Sequence, residues 1–161
     1  MREMIFVDTE TTGLDDEHDD LVELTYASRD SEPHTLWFGV TEVPEFIDNL
    51  IGFTKRGISG RRSDHFEVEE FLKVSDGATM VAAVPAFDQG FINKAGLWRF
   101  HYRTLDIQSY AMAKLGLSDV PSMKDLATFF ENEGYELTQP DHTSRNDVLA
   151  MREMFLLLEN M

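Results

Sequence analysis

Asp8 and Glu10 stand two positions apart, directly behind the apolar run Met4-Ile5-Phe6-Val7. Alternate side chains of a strand share a face, so both carboxylates project to the same side. Two acids so placed repel each other unless a cation joins them or a proton neutralises one. Ligands that offer only oxygen suit Mg²⁺ or Mn²⁺. Asp88 and Asp147 add two more carboxylates, and His142 adds an imidazole five positions before Asp147. Four carboxylates and one imidazole could converge on a pair of divalent ions and a water, which is phosphodiester chemistry. Asp-x-Glu alone is better explained by a strand running into an acidic surface turn. The Thr11-Thr12-Gly13-Leu14 that follows it shifts the balance toward a metal site.

The elements that must position these residues fit within one domain, because 161 residues with 42% hydrophobic content can bury a sizeable core and leave little room for a second. A single domain over 1–161 is therefore expected. The absence of cysteine excludes disulfides, thiolate zinc sites and cysteine nucleophiles. Met1-Arg2-Glu3 leads straight into the first apolar run, and no run approaches membrane-spanning length. A soluble, cytoplasmic protein is expected, with no membrane partner.

A net charge of −16 argues against binding a polyanion over a broad basic surface. Any nucleic acid must be held locally, and bound metal would supply positive charge. Two basic islands stand out: Lys55-Arg56 with Arg61-Arg62, and Lys94 with Arg99 and Arg103 among Trp98, Phe100 and Tyr102. The second reads better as core aromatics mixed with solvated charges than as a strand-tracking surface. The run Asp15 to Asp20 lacks the spaced ligands and glycine of a calcium loop, so a solvated turn between two strands is expected.

Periodicity predicts strands at Leu21–Ser28 and His34–Val40 after the first apolar run, then a short helix over Pro44–Ile51. Lys55–Arg62 reads as a loop, Phe66–Val74 as a helix and Thr79–Val84 as a buried strand. Phe87, Phe91 and Ala95 recur every four residues, predicting a helix with Asp88 in its first turn, where an acid also suits the helix dipole. A last strand is expected over Arg103–Ile107, with Asp106 capping a helix over Gln108–Leu115. Ser122 and Asp125 open the next helix, which Gly134 ends, and Ser144–Glu159 forms the last. Strands first and helices later predict an α/β chain with a mixed sheet covered on both faces.

With these residues in view, the chain resembles the DEDDh, or DnaQ-like, 3'-to-5' exonucleases of the ribonuclease-H-like superfamily. Phe6 to Leu14 is similar to the family's first motif throughout, Phe87-Asp88 with Phe91-Ile92 to its second, and His142 with Asp147 to its third. The resemblance covers essentially the whole chain. It implies a ribonuclease-H-like mixed five-stranded sheet with one antiparallel strand, flanked by helices on both faces. It also implies two Mg²⁺ or Mn²⁺ ions on Asp8, Glu10, Asp88 and Asp147, with His142 as general base. The implied substrate is the 3' end of single-stranded DNA or RNA, gripped by Thr11, Gly13, Leu14, Arg56 and Phe87, with release of nucleoside 5'-monophosphates. Leu14 also reads simply as a core leucine. Family members serve proofreading, repair and RNA trimming, so a polymerase or replication protein is a candidate partner. A non-catalytic nucleic-acid-binding module of the same fold and a calcium-responsive protein built on Asp15 to Asp20 are the alternatives.

Three positions depart from the family pattern. Val84-Pro85-Ala86 stands where many members carry a His-Asn pair, Arg56 replaces a histidine before Gly57-Ile58, and Ser144 replaces an alanine. The arginine is expected to hold a phosphate more strongly than histidine would. Sister enzymes use Tyr-x-x-x-Asp in place of the histidine. Of the two such pairs here, Tyr26 with Asp30 comes too early, and Tyr102 with Asp106 falls on an expected strand, so the histidine form is favoured.

Overall fold

The computed structural model describes residues 2–161. Its centre is a five-stranded sheet in the order β3-β2-β1-β4-β5. β1 (Met4–Thr11), β2 (Leu21–Ala27) and β3 (His34–Trp37) form an antiparallel meander, while β4 (Thr79–Ala82) and β5 (Leu105–Asp106) run parallel to β1. Only β2 therefore opposes the other strands, as the ribonuclease-H-like architecture requires.

Register sorts the side chains into two layers. Phe6 lies opposite Ala27 and beside Val81, and these pack under α5 (Ile107–Leu115), α6 (Met123–Asn132) and α7 (Ser144–Glu159). Ile5 and Val7 point the other way with Leu24, Leu36 and Met80, under α3 (His65–Ser75) and α4 (Pro85–Lys94). Fully burying a Phe or Ile contributes roughly 1.5–3 kcal/mol. Phe6, Phe71, Phe91 and Phe130 are each buried to within 1%. That apolar reserve sets the strand that carries the acids rigidly at the middle of the molecule.

Several element ends differ from the sequence expectation, each for a local reason. β1 carries both acids as their alternation requires, its ladder with β2 running from Asp8 opposite Thr25 to Thr11 opposite Leu21, but the other ends shift. β3 ends at Trp37 rather than Val40 because Gly39 takes a left-handed φ of 74°. The expected basic loop contains a short helix, α2 (Phe53–Arg56), following α1 (Glu45–Ile51) and bounded by left-handed Gly52 and Gly57. β4 stops at Ala82 because Pro85 opens α4, where its missing N–H costs nothing. Asp106 caps α5 as expected, accepting the amides of Gln108 and Ser109, which leaves β5 only two residues long. Ser122 and Asp125 form the expected capping box on α6.

The second basic island is core only in part: Phe100 is buried against Phe71 and Trp98 as expected, whereas Tyr102 is exposed beside Arg103. Among the described residues no helix is long and apolar enough to cross a membrane.

Candidate metal centre and active site

Asp8 and Glu10 share the face of the sheet covered by α7, and the first turn of α7 brings Asp147 over them. Ligand oxygens of these three residues all lie within 4.8 Å of one another. Desolvation pushes the Asp8 carboxyl well above the usual range, with Glu10, Asp88, Asp147 and Glu23 adding to the shift. Glu10 is pushed up to about 9, first by burial and then by Asp147 and Glu23, with Arg56 opposing. Asp147 is raised by burial, against the pull of the Asp141 amide and of His142. Asp8 Oδ2 is buried and has no hydrogen-bond partner among the described residues. An orphaned buried oxygen within a knot of acids is the state expected of a ligand whose cation supplies the missing partner. The donor set, oxygen throughout, fits Mg²⁺ or Mn²⁺.

Asp88 reaches the site from the other side. β4 ends before it can flank the far half of β1, and the first turn of α4 occupies that space. There Thr9, facing away from Asp8, donates its hydroxyl to Asp88 Oδ1 at 2.8 Å. Burial pushes Asp88 up to about 7, opposed by this bond and by nearby amides. Its charge is felt at Asp8, but it lies outside the close group of three.

His142 sits exposed in the segment leading into α7, with a left-handed φ of 59°, and its charge acts on Asp147. The same segment aims Asp147 through a hydrogen bond from the Asp141 amide, 2.9 Å long. Asp141 in turn accepts from Thr143 and Asn146, so the bend is held by side chains rather than by packing.

The expected substrate contacts divide. Thr11 is buried, and its hydroxyl donates to the Gly13 carbonyl. At Gly13 a Cβ would fall 2.2 Å from Asp19 Oδ2, so a side chain there would push that carboxylate off the Asp15 amide. Leu14 is 82% exposed, which corrects its reading as a core leucine. Phe87 is half-buried against Phe91, with ring centroids 5.0 Å apart. Arg56 does not project freely: it forms a two-pronged pair with Glu23. Arg61, from the same island, lies 4.4 Å over the Trp37 ring. A groove of about 530 Å³ lined by Thr12, Phe38, Phe91 and Lys94 touches none of the four carboxylates.

Sequence reasoning missed Glu23, Thr9 and the role of Ser144. Glu23 faces Glu10 across the β1–β2 ladder and is fully buried. Ser144 joins its hydroxyl to that of Thr25 at 2.6 Å, which an alanine could not do. An acid in the midst of the apolar strand β2 was the visible signal for Glu23. Asp15, Glu17 and His18 also cluster, but on the surface. Asp15 there accepts from the Glu17 amide and pairs with His18, which satisfies the turn internally.

No protein-family model matches the chain, and no curated protein sequence matches it. Solved structures do. One is cell-death related nuclease 4, CRN-4, with a TM-score of 0.71 at 12% identity over 100% of this chain and 64% of that one. Another is exonuclease I, with a TM-score of 0.72 at 15% identity over 99% of this chain and 41% of that one. The zinc-bound complex of E. coli exonuclease I with single-stranded DNA gives 0.68 at 14% identity, over the same 99% and 41%. This chain thus spans less than two thirds of the length of each. At such identities the likeness is one of fold, and the fold is ribonuclease-H-like.

Proposed function

We propose that this protein is a metal-dependent 3'-to-5' exonuclease of the DEDDh type that removes nucleoside 5'-monophosphates from single-stranded DNA or RNA. One observation carries this reading: the buried, partnerless Asp8 Oδ2 within the convergent group Asp8, Glu10 and Asp147. The fold is shared with solved structures described as nucleases, one of them complexed with single-stranded DNA, which supports the same reading.

Asp8, Glu10 and Asp147, with Asp88 behind them, would hold two Mg²⁺ or Mn²⁺ ions. Bound there, divalent cations activate a water and stabilise the charge that develops on a phosphodiester. The chain's own residues do the rest. His142, on an exposed bend beside Asp147, would take the proton of the attacking water, a role its exposure and its electrostatic effect on Asp147 support. Thr11 and Gly13 shape the turn that offers backbone amides to the terminal nucleotide, while Phe87 and Leu14 offer apolar surface to its base.

The test is a ladder assay on 5'-labelled DNA and RNA oligonucleotides with Mg²⁺ or Mn²⁺, alongside EDTA and Asp8→Ala controls. Stepwise shortening from the 3' end that both controls abolish is the expected result. No metal-dependent shortening of either polymer would sink the assignment.

A further inference from the structure

Glu23 is the most completely buried acid on this face of the sheet, at 0% exposure between Val22 and Leu24. A carboxylate taken so far from water persists only if its oxygens are matched by donors. Three donors converge on it. Arg56 Nη1 and Nη2 reach Oε1 and Oε2 at 3.2 and 2.7 Å, and the Ser144 amide reaches Oε1 at 3.0 Å. Arg56 is itself anchored, donating from Nη1 to the Ile51 carbonyl at 3.1 Å.

These contacts join three elements next to the metal centre. Glu23 lies on β2 opposite Glu10, and Arg56 ends α2, between its two left-handed glycines. Ser144 opens α7, one turn before Asp147. Two residues along the same face of β2, Thr25 holds the Ser144 hydroxyl. The start of α7 is therefore fastened to β2 at two points. Both lie within a few residues of the carboxylates that must meet.

Resting on the nuclease reading above, we propose that Glu23 and Arg56 are positioning residues for the metal centre. Together they fix the first turn of α7, and so Asp147, against Asp8 and Glu10. Arg56 also cancels a buried negative charge beside those ligands, in place of gripping a substrate phosphate. The planar guanidinium fork meets both oxygens of Glu23 at once, which a lysine cannot do.

Arg56→Gln, Arg56→Lys, Glu23→Gln and the double variant Glu23→Gln/Arg56→Gln distinguish the roles. Each is titrated with Mn²⁺ by calorimetry and assayed for kcat and KM on a 5'-labelled single-stranded oligonucleotide, with a thermal melt in EDTA to confirm folding. Partners that orient metal ligands typically contribute about 10–100-fold in metal affinity or activity. Arg56→Gln is expected to weaken Mn²⁺ binding and lower kcat by about that factor with KM nearly unchanged. Arg56→Lys should recover part of both. The double variant should melt higher in EDTA than Arg56→Gln, because it removes the stranded charge along with its partner. If Arg56→Gln does not fold, the comparison of Arg56→Lys and Glu23→Gln with the parent decides. A raised KM with unchanged Mn²⁺ affinity would assign Arg56 to the substrate and overturn the proposal, as would variants that bind Mn²⁺ and turn over like the parent. The Mn²⁺ titration needs no nuclease activity. A parent protein that binds Mn²⁺ without shortening the oligonucleotide fails the functional reading alone, whereas one that binds no Mn²⁺ fails both.

Discussion

The Thr9 hydroxyl donates to Asp88 Oδ1 at 2.8 Å, both groups buried, across 79 positions of the chain. Asp8 and Glu10 point to the α7 side of β1, and the residue between them serves the α4 side. One strand thus organises acids on both of its faces. Thr9→Val keeps the shape and deletes the donor. Leaving a buried carboxylate short of a partner costs roughly 1–3 kcal/mol, so Thr9→Val should lose about that much in urea unfolding near neutral pH, while Thr9→Ser loses little. The lost bond opposed the upward shift of Asp88, already at about 7. Asp88 in Thr9→Val should therefore hold its proton to still higher pH. The acid side of the activity profile should move up with it, and a profile unchanged from the parent would separate Asp88 from the chemistry.

The acid group makes the metal-free protein sensitive to alkali. Glu10 rises from an ordinary 4.5 to about 9, so the folded chain keeps a proton that the unfolded chain has released. A raised folded pKa contributes stability that fades as pH climbs from the unfolded toward the folded value. In EDTA the melting temperature should fall between about pH 5 and pH 9, and Glu10→Gln should flatten that slope. Added Mn²⁺ should reverse the trend, since binding displaces these protons and tightens as pH rises. Thermal melts across the range, with and without metal, check both signs. A parent and a Glu10→Gln protein with the same slope in EDTA would remove Glu10 from the account.

Leu14 offers a cleaner separation of binding from folding. It is 82% exposed at the tip of the turn after β1, where a large apolar side chain gains nothing from the core. Surface substitutions of this kind usually change stability by no more than about 0.5 kcal/mol. Leu14→Ala should melt like the parent. If Leu14 packs on the terminal base, KM should rise by about tenfold or more, since fully burying a leucine side chain contributes roughly 1.5–3 kcal/mol. An unchanged KM would remove it from the substrate contacts.

Strand alternation puts Asp8 and Glu10 on one face, whereas Asp147 joins them only through the resemblance of its spacing from His142 to a known motif. The assembly of the strands into one five-stranded sheet with a single antiparallel member comes from the family resemblance, since periodicity alone predicts only a mixed sheet covered by helices on both faces. Glu23 and Arg56 were harder for a physical reason. Their partnership spans 33 positions and depends on Gly52 and Gly57 turning α2 back over β2, which no periodicity encodes. Thr9 was visible within its motif, yet its role depends on where β4 stops. The alternative reading of Leu14 as core fails because the turn formed by Thr11, Gly13 and Asp19 carries it outward.

His142 combines an exposed imidazole with a left-handed backbone, φ 59°, in a bend that also supplies the amide hydrogen bond to Asp147. Substituting it therefore risks two effects at once. Alanine removes the ring and also resists the left-handed region, so a loss of activity could come from a displaced Asp147. Asparagine tolerates that region far better and glycine adopts it freely. His142→Asn should keep the bend, the Asp147 hydrogen bond and the Mn²⁺ affinity of the parent. If His142 accepts the proton from the attacking water, kcat should nevertheless fall by about 10²–10⁴-fold, the usual contribution of a general base. His142→Gly should show the same loss, and His142→Ala an equal or greater one, with weakened Mn²⁺ binding. Stability in EDTA should change little for Asn, because the ring is exposed. Parallel measurements of kcat and Mn²⁺ affinity on the three variants separate proton transfer from backbone support. Full activity in His142→Asn would remove the imidazole from the chemistry and leave the bend itself as the contribution of this segment.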